Sequence, residues 1–124
     1  MSLRPRLQPS ARHPITVTET GRHVTVRVNG EVVADTDNAL TLQESTYATV
    51  QYIPLADVNG DVLRHTDTAT YCPYKGDASS YSVVTASGVT VEDAIWTYEQ
   101  PYEAVAPIAD HVAFYPDKAE VTVG

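Results

Sequence analysis

The segment that decides the fold is Val24–Val33, which reads VTVRVNGEVV. Its first three valines alternate with Thr25 and Arg27, and Asn29-Gly30 separates them from a second apolar run. A period of two is typical of a strand with one buried face. Asn-Gly favours a two-residue turn because both positions accept a positive φ. The segment therefore predicts a β-hairpin.

Short runs of the same kind recur on both sides of this hairpin. One begins at Ile15, and the others are predicted near Ala39–Gln43, Thr49–Ile53, Ala69–Cys72, Tyr81–Ala86, His111–Tyr115 and Glu120–Val123. Proline, glycine and Asn-Gly separate them. Leu55–Val58 and Val91–Ala94 each fit a helical turn, and Val91–Tyr98 fits either helix or strand. Many short strands separated by turns predict a mostly β barrel, sandwich or two-sheet tent.

The length of 124 residues fits a single domain. Residues 1–14 contain three arginines, three prolines and no acidic residue, and we predict a flexible N-terminal arm there. Residues 15–124 are predicted to form one β domain. This part holds five of the eight basic residues and all sixteen acidic ones.

Charge and composition exclude several classes of function. The net charge is −8, and an acidic body repels phosphate backbones, so we expect no nucleic-acid partner. The chain has no apolar run of about eighteen residues, so we expect no membrane partner. One cysteine allows no internal disulfide, which fits a cytoplasmic protein. We expect neither a cofactor nor a metal.

The motif Cys72-Pro-Tyr-Lys-Gly76 is followed downstream by Trp96-x-Tyr-x-x-Pro101. Further segments stand in order around these two: Gly30–Thr36, Ala39–Glu44, Tyr52–Pro54, Tyr81–Val83 and Val112–Tyr115. In this order they resemble the family called domain of unknown function 427, and the resemblance extends over about 100 residues.

The resemblance implies a β-tent fold, in which two antiparallel sheets meet at an angle and ligands can lodge between them. We therefore expect a small two-sheet antiparallel β-tent or barrel-like domain with one or two short helical turns. Several β-tent relatives hold zinc with two pairs of cysteines, and Cys72 alone cannot form such a site. A nucleotidyltransferase-type name used for the family finds no support, because the chain has no Gly-rich phosphate loop and no close carboxylate pair.

Two side chains of the first motif can carry chemistry. Pro73 cannot donate to a sheet ladder, so a strand should end at Cys72 and leave a thiol and the Lys75 amine at one strand end. A nearby ammonium favours a thiolate, and a partly desolvated lysine can act as nucleophile or base. The alternative is an inert buried Cys72 and a solvated Lys75.

Acidic residues and histidines supply the other candidates. Glu44 and Asp35 could pair with Lys75 or act as general acid and base, and we count Glu44 with Cys72 and Lys75 as the candidate catalytic residues. The alternatives are a strand-end ion pair for Glu44 and a turn residue for Asp35. His65 could act as a base toward the thiol, although a surface histidine is the simpler interpretation.

The chain has eight tyrosines but one tryptophan and one phenylalanine. Tyrosine and tryptophan present an apolar wall with a polar tip, which suits a pocket for a flat or amphipathic molecule. The candidate ligand-binding residues are Tyr52, Tyr74, Tyr81, Trp96 and Tyr98. The alternative is a structural core, for which Trp96 and Tyr115 are the better candidates.

Three functions remain open from the sequence. The first is a small-molecule enzyme, broadly a hydrolase or group transferase; a thiol oxidoreductase is disfavoured because no second cysteine can resolve a sulfenate. The second is a binding module that uses the same pocket without turnover. The third is a structural protein, in which an exposed sheet edge could form a homodimer.

Overall fold

A computed structural model describes residues 4–124. It contains ten β-strands and three short 3₁₀ helices. The strands are β1 (Ile15–Glu19), β2 (Val24–Val28), β3 (Glu31–Thr36), β4 (Leu40–Glu44), β5 (Val50–Pro54), β6 (Leu63–Cys72), β7 (Gly76–Val84), β8 (Thr90–Thr97), β9 (His111–Phe114) and β10 (Glu120–Val123). The 3₁₀ helices are Leu55–Asp57, Gly60–Val62 and Glu103–Ile108.

The strands form two antiparallel sheets, which confirms the predicted fold class. The large sheet has the order β1-β4-β5-β9-β8-β7-β6, and the small sheet has the order β10-β2-β3. Over residues 4–124 the large sheet runs from β1 at one edge to β6 at the other and does not close into a barrel.

The predicted hairpin is confirmed as β2 and β3. Asn29 and Gly30 form its turn with φ values of 51° and 80°, which is the left-handed region that this turn requires. The register shifts between Val26 and Arg27, so a bulge accompanies the turn. β2 is the central strand of the small sheet, and its three valines are fully buried.

The large sheet separates two apolar clusters, because consecutive strand residues point to opposite faces. Ile53 and Ile95 pack on the face toward the small sheet, together with the valines of β2. Their neighbours Tyr52 and Trp96 belong to the cluster on the other face, which the helix Glu103–Ile108 covers. The candidate site lies on this second face.

Three details differ from the predicted elements, and one predicted turn is confirmed. Val91–Ala94 is part of strand β8 and not a helical turn, because β8 pairs with β7 through a register shift in which the Asp93 amide donates to Ser82 Oγ at 2.9 Å. The turn at Leu55–Asp57 is present. Strands β6 and β7 are longer than expected and join directly through the Cys72–Gly76 motif. The helix Glu103–Ile108 was not predicted, since Pro101 and Pro107 indicated only turns there.

Residues 4–14 of the predicted arm lie against the domain, and residues 1–3 fall outside the described part of the chain. The Leu7 amide donates to the Pro73 carbonyl at 3.0 Å, and the guanidinium of Arg4 lies 3.8 Å from the centroid of the Tyr71 ring. Arg4 also forms an ion pair with Asp77. No helix in the described chain is long and apolar enough to cross a membrane.

Candidate functional site

The Cys72–Gly76 motif is the tight turn of the β6–β7 hairpin. Cys72 and Gly76 are register partners, and the Lys75 amide donates back to the Cys72 carbonyl at 3.2 Å. Gly76 has a φ of 109°, which a residue with a side chain rarely adopts. The Lys75 carbonyl accepts from the Tyr102 amide at 2.9 Å. These constraints fix the backbone from which the Lys75 side chain extends.

Lys75 is the one buried charged residue of the described chain, with 8% of its surface exposed. Its ammonium donates to Glu44 Oε1 at the end of β4. Four strand spacings separate β4 from β7 in the sheet order, which is about 19 Å in a flat sheet. The contact between the two side chains therefore indicates that the large sheet curls around the site.

Glu44 has a second partner from the N-terminal arm. His13 Nε2 lies 2.8 Å from Glu44 Oε2, and because a carboxylate only accepts, the ring nitrogen is the donor. The imidazole stacks on Tyr74 with ring centroids 4.3 Å apart and an interplanar angle of 11°. Tyr47 meets the same imidazole edge-on at 5.9 Å.

These contacts determine the protonation of Glu44. Burial alone would raise the pKa of its carboxyl, but the hydrogen bonds from Lys75 and His13 outweigh burial and hold that pKa below its ordinary value. Glu44 is therefore a carboxylate at neutral pH.

A cavity of about 210 Å³ opens beside this ion pair. Lys75 and Glu44 form its polar wall. The other walls are aromatic and aliphatic, and they consist of Leu42, Tyr47, Ala48, Val50, Tyr52, Thr70, Trp96, Tyr98 and Tyr115. The cavity exceeds the roughly 150 Å³ that holds one benzene molecule in a protein core, so a single substituted ring fits.

The hydroxyls of Tyr52 and Tyr98, two tyrosines of the cavity wall, remain protonated at neutral pH. Burial raises the pKa of both Tyr52 and Tyr98 above its ordinary value. Tyr52 accepts a hydrogen bond from Trp96 Nε1 at 3.3 Å and keeps its own proton available. Tyr98 has no hydrogen-bond partner for its hydroxyl within residues 4–124 and borders the cavity. Both hydroxyls can therefore donate to a ligand.

The structure thus gathers five of the eight predicted site residues, which are Lys75, Glu44, Tyr52, Trp96 and Tyr98. Three others lie elsewhere. Cys72 is half-buried and packs against the apolar cluster on this face of the sheet, but it does not line the cavity. Tyr74 lies under His13, outside the cavity wall. Tyr81 packs edge-on against His65 with centroids 5.2 Å apart, on another part of the sheet.

The remaining acidic and histidine candidates lie apart from the cavity. Asp35 is on the small sheet, where it pairs with His23 and accepts from Thr25 at 3.2 Å. His65 contacts Tyr81 and not Cys72. Within residues 4–124 no group of three His, Cys, Asp or Glu side chains is arranged to hold a metal ion.

Sequence reasoning missed His13 and Tyr47. His13 lies among prolines and arginines without periodicity, and nothing local indicates that it reaches a carboxylate 31 positions away. Tyr47 follows the end of β4 closely, so its nearness to Glu44 along the chain was an available signal.

A search of the curated proteins finds no match to this chain. One family, described as a domain of unknown function (DUF427), matches residues 16–124. The matched range contains both halves of the ion pair and every residue of the cavity wall, whereas His13 precedes it. On this match, the chain belongs to the DUF427 family.

Proposed function

We propose that the protein binds a small, uncharged, polar molecule in the cavity beside Lys75 and Glu44. The observation that carries the proposal is a mostly buried ion pair in the wall of an aromatic cavity. An ammonium has three donors, and Lys75 uses one of them on Glu44. Each carboxylate oxygen of Glu44 likewise keeps a lone pair after binding Lys75 and His13.

The charge balance of the pair selects the ligand. Lys75 and Glu44 neutralise each other, with side chains only 10% and 14% exposed. A charged ligand would lose hydration without gaining a free counter-ion, which is costly in a partly buried site. A carboxamide avoids this cost because its oxygen accepts from Lys75 while its N–H donates to Glu44. The rings of Tyr52 and Trp96 then provide an apolar wall for a flat substituent.

The test uses three monosubstituted benzenes of similar size and different charge: benzamide, benzoate and benzylamine. Trp96 is the only tryptophan and lines the cavity, so its fluorescence reports binding there. We expect benzamide to bind with a dissociation constant in the millimolar range or tighter, since about nine atoms contribute roughly 0.3–0.5 kcal/mol each. Benzoate and benzylamine should bind more weakly.

Two variants provide the matched comparison, because the chain has two lysines. Lys75→Met removes a charge-assisted hydrogen bond and should weaken benzamide roughly tenfold or more. Lys118→Met removes an exposed ammonium outside the cavity and should leave binding unchanged. Equal binding by both variants, or no response of Trp96 to any of the three molecules, would contradict the proposal.

A hydrolase or group transferase is the second candidate. The row of titratable groups from His13 through Glu44 to Lys75 favours it, because such rows move protons in many enzymes. It ranks second because the lowered pKa of Glu44 makes this carboxylate a weak general base near neutral pH. Steady turnover of p-nitrophenyl acetate that disappears in both Lys75→Met and Glu44→Gln would support it, and equal rates in all three proteins would exclude it.

We further propose that the protein works in the cytoplasm, where a free thiol such as Cys72 stays reduced.

A further inference from the structure

A second cavity, of about 310 Å³, borders the first. Ala48, Val50 and Trp96 line both cavities, so the two share a wall. The second cavity is otherwise lined by Thr49, Gln51, Phe114, Pro116, Val121 and Val123. It therefore lies where the start of β5 and the end of β9 face strand β10 of the small sheet.

The pairing of β5 with β9 explains why space opens there. These strands have register pairs only at Ile53–Val112 and Pro54–His111 within the described residues. Continued pairing would place Gln51 opposite Phe114, but the described residues form no such pair. The two strands thus part beyond Ile53, and a sheet that parts lets a molecule on one face reach the other.

The chemistry of the second cavity is apolar. None of its nine lining residues is charged. Its most polar side chain, Gln51, is already engaged, because its Nε2 donates to Thr41 at 3.0 Å and its Oε1 accepts from Thr20 at 2.6 Å. Val123 is 40% exposed, so apolar surface at this cavity remains in contact with water. Covering that surface is favourable for an aliphatic or aromatic group.

We infer that the ligand is an amphipath, with a carboxamide-type head at Lys75 and Glu44 and an apolar tail that passes Trp96 into the second cavity. This inference rests on the proposed function, since the head occupies the site described above. The second cavity has about twice the volume that holds one benzene molecule, so a tail of about six carbons fits. The tail covers the exposed face of Val123 and the aliphatic wall of Val50.

The experiment titrates straight-chain primary amides, from propanamide to heptanamide, while Trp96 fluorescence is recorded. Each added methylene should tighten binding roughly fourfold, until the tail fills the second cavity. The test variant is Val123→Glu, which places a charge beside the tail at an exposed position. Its matched control is Val32→Glu, which changes another exposed valine of the small sheet outside both cavities.

The expected result is that Val123→Glu abolishes the gain with chain length, whereas propanamide binding and the Val32→Glu profile stay as in the unmodified protein. Ala48→Leu is the second variant, because this exposed residue lies at the junction; it should weaken heptanamide more than propanamide. The inference would be overturned if amide binding did not depend on chain length, or if that dependence persisted in both Val123→Glu and Ala48→Leu. Either result would leave the proposed function standing. Failure of every amide to bind would overturn both.

Discussion

Replacing Glu44 by methionine tests whether the buried ion pair holds the site together. Glu44→Met removes the carboxylate that pairs with the Lys75 ammonium, although only 8% of the surface of Lys75 is exposed. An unpaired buried charge costs about 3–5 kcal/mol, and a charge-assisted hydrogen bond contributes about 1.5–3 kcal/mol. Because the cavity admits water to the pair, we expect the lower range, about 2 kcal/mol.

Lys75→Met should cost less, about 1 kcal/mol, since Glu44 keeps its hydrogen bond from His13. In the double variant neither charge remains, and two methionines pack against the same apolar wall. We therefore expect the double variant to lose only about 1 kcal/mol, which leaves a coupling of about 2 kcal/mol between the two positions.

Urea unfolding measures these changes, because a domain of this size should unfold in one cooperative step. At a slope of about 2 kcal/mol per molar urea, Glu44→Met should lower the midpoint by roughly 1 M. The exposed pair Arg4–Asp77, with side chains 43% and 74% exposed, is the control, and Asp77→Asn should change stability by less than about 1 kcal/mol. Additivity of the Glu44 and Lys75 changes within about 0.5 kcal/mol would refute the reasoning.

Three further predictions follow from the same contacts. The folded-state pKa of Glu44 lies below its unfolded value, so its contribution to stability is complete above about pH 4.3 and is lost as the pH falls through the folded pKa. Urea midpoints measured between pH 6 and pH 3 should therefore fall less steeply in Glu44→Met than in the unmodified protein. Parallel slopes in the two proteins would contradict this. Cys72→Ser should leave benzamide binding unchanged in the Trp96 titration, since the thiol does not line the cavity. A tenfold or greater loss of benzamide affinity would indicate that the thiol belongs to the binding site after all. Gly76→Ala places a side chain on a residue with a φ of 109° and should lower the free energy of unfolding by about 1–2 kcal/mol in the urea assay. Benzamide should also bind more weakly, because Lys75 shifts. Unchanged stability would show that the turn tolerates the strain.

The sequence predicts features that short segments determine by themselves. The β2–β3 hairpin follows from alternation and Asn29-Gly30 alone, and the end of β6 at Cys72 follows from Pro73. The sequence left Val91–Tyr98 open between helix and strand because its conformation depends on the bulged pairing with β7, where the Asp93 amide donates to Ser82. A short segment carries no information about the strand with which it pairs.

For the site, the sequence predicts which residues take part but not how they are arranged in space. Lys75, Glu44 and the aromatic residues stand out by type and motif, and a Glu44–Lys75 contact was one of several open pairings. The curl of the sheet that joins them across four strand spacings depends on the packing of the whole molecule. The parting of β5 from β9 and the approach of His13 have the same origin, so neither is visible in local patterns.

The route of the N-terminal segment has a practical consequence for work with this protein. Within residues 4–14, Leu7 forms a hydrogen bond to Pro73 in the β6–β7 turn, and His13 places its imidazole beside Glu44. Trimming the chain to the family-matched range, which begins at residue 16, removes that imidazole and uncovers the Tyr71 and Tyr74 rings. A version of the protein that begins at residue 16 therefore differs at the site, and ligand screens should keep residues 4–14.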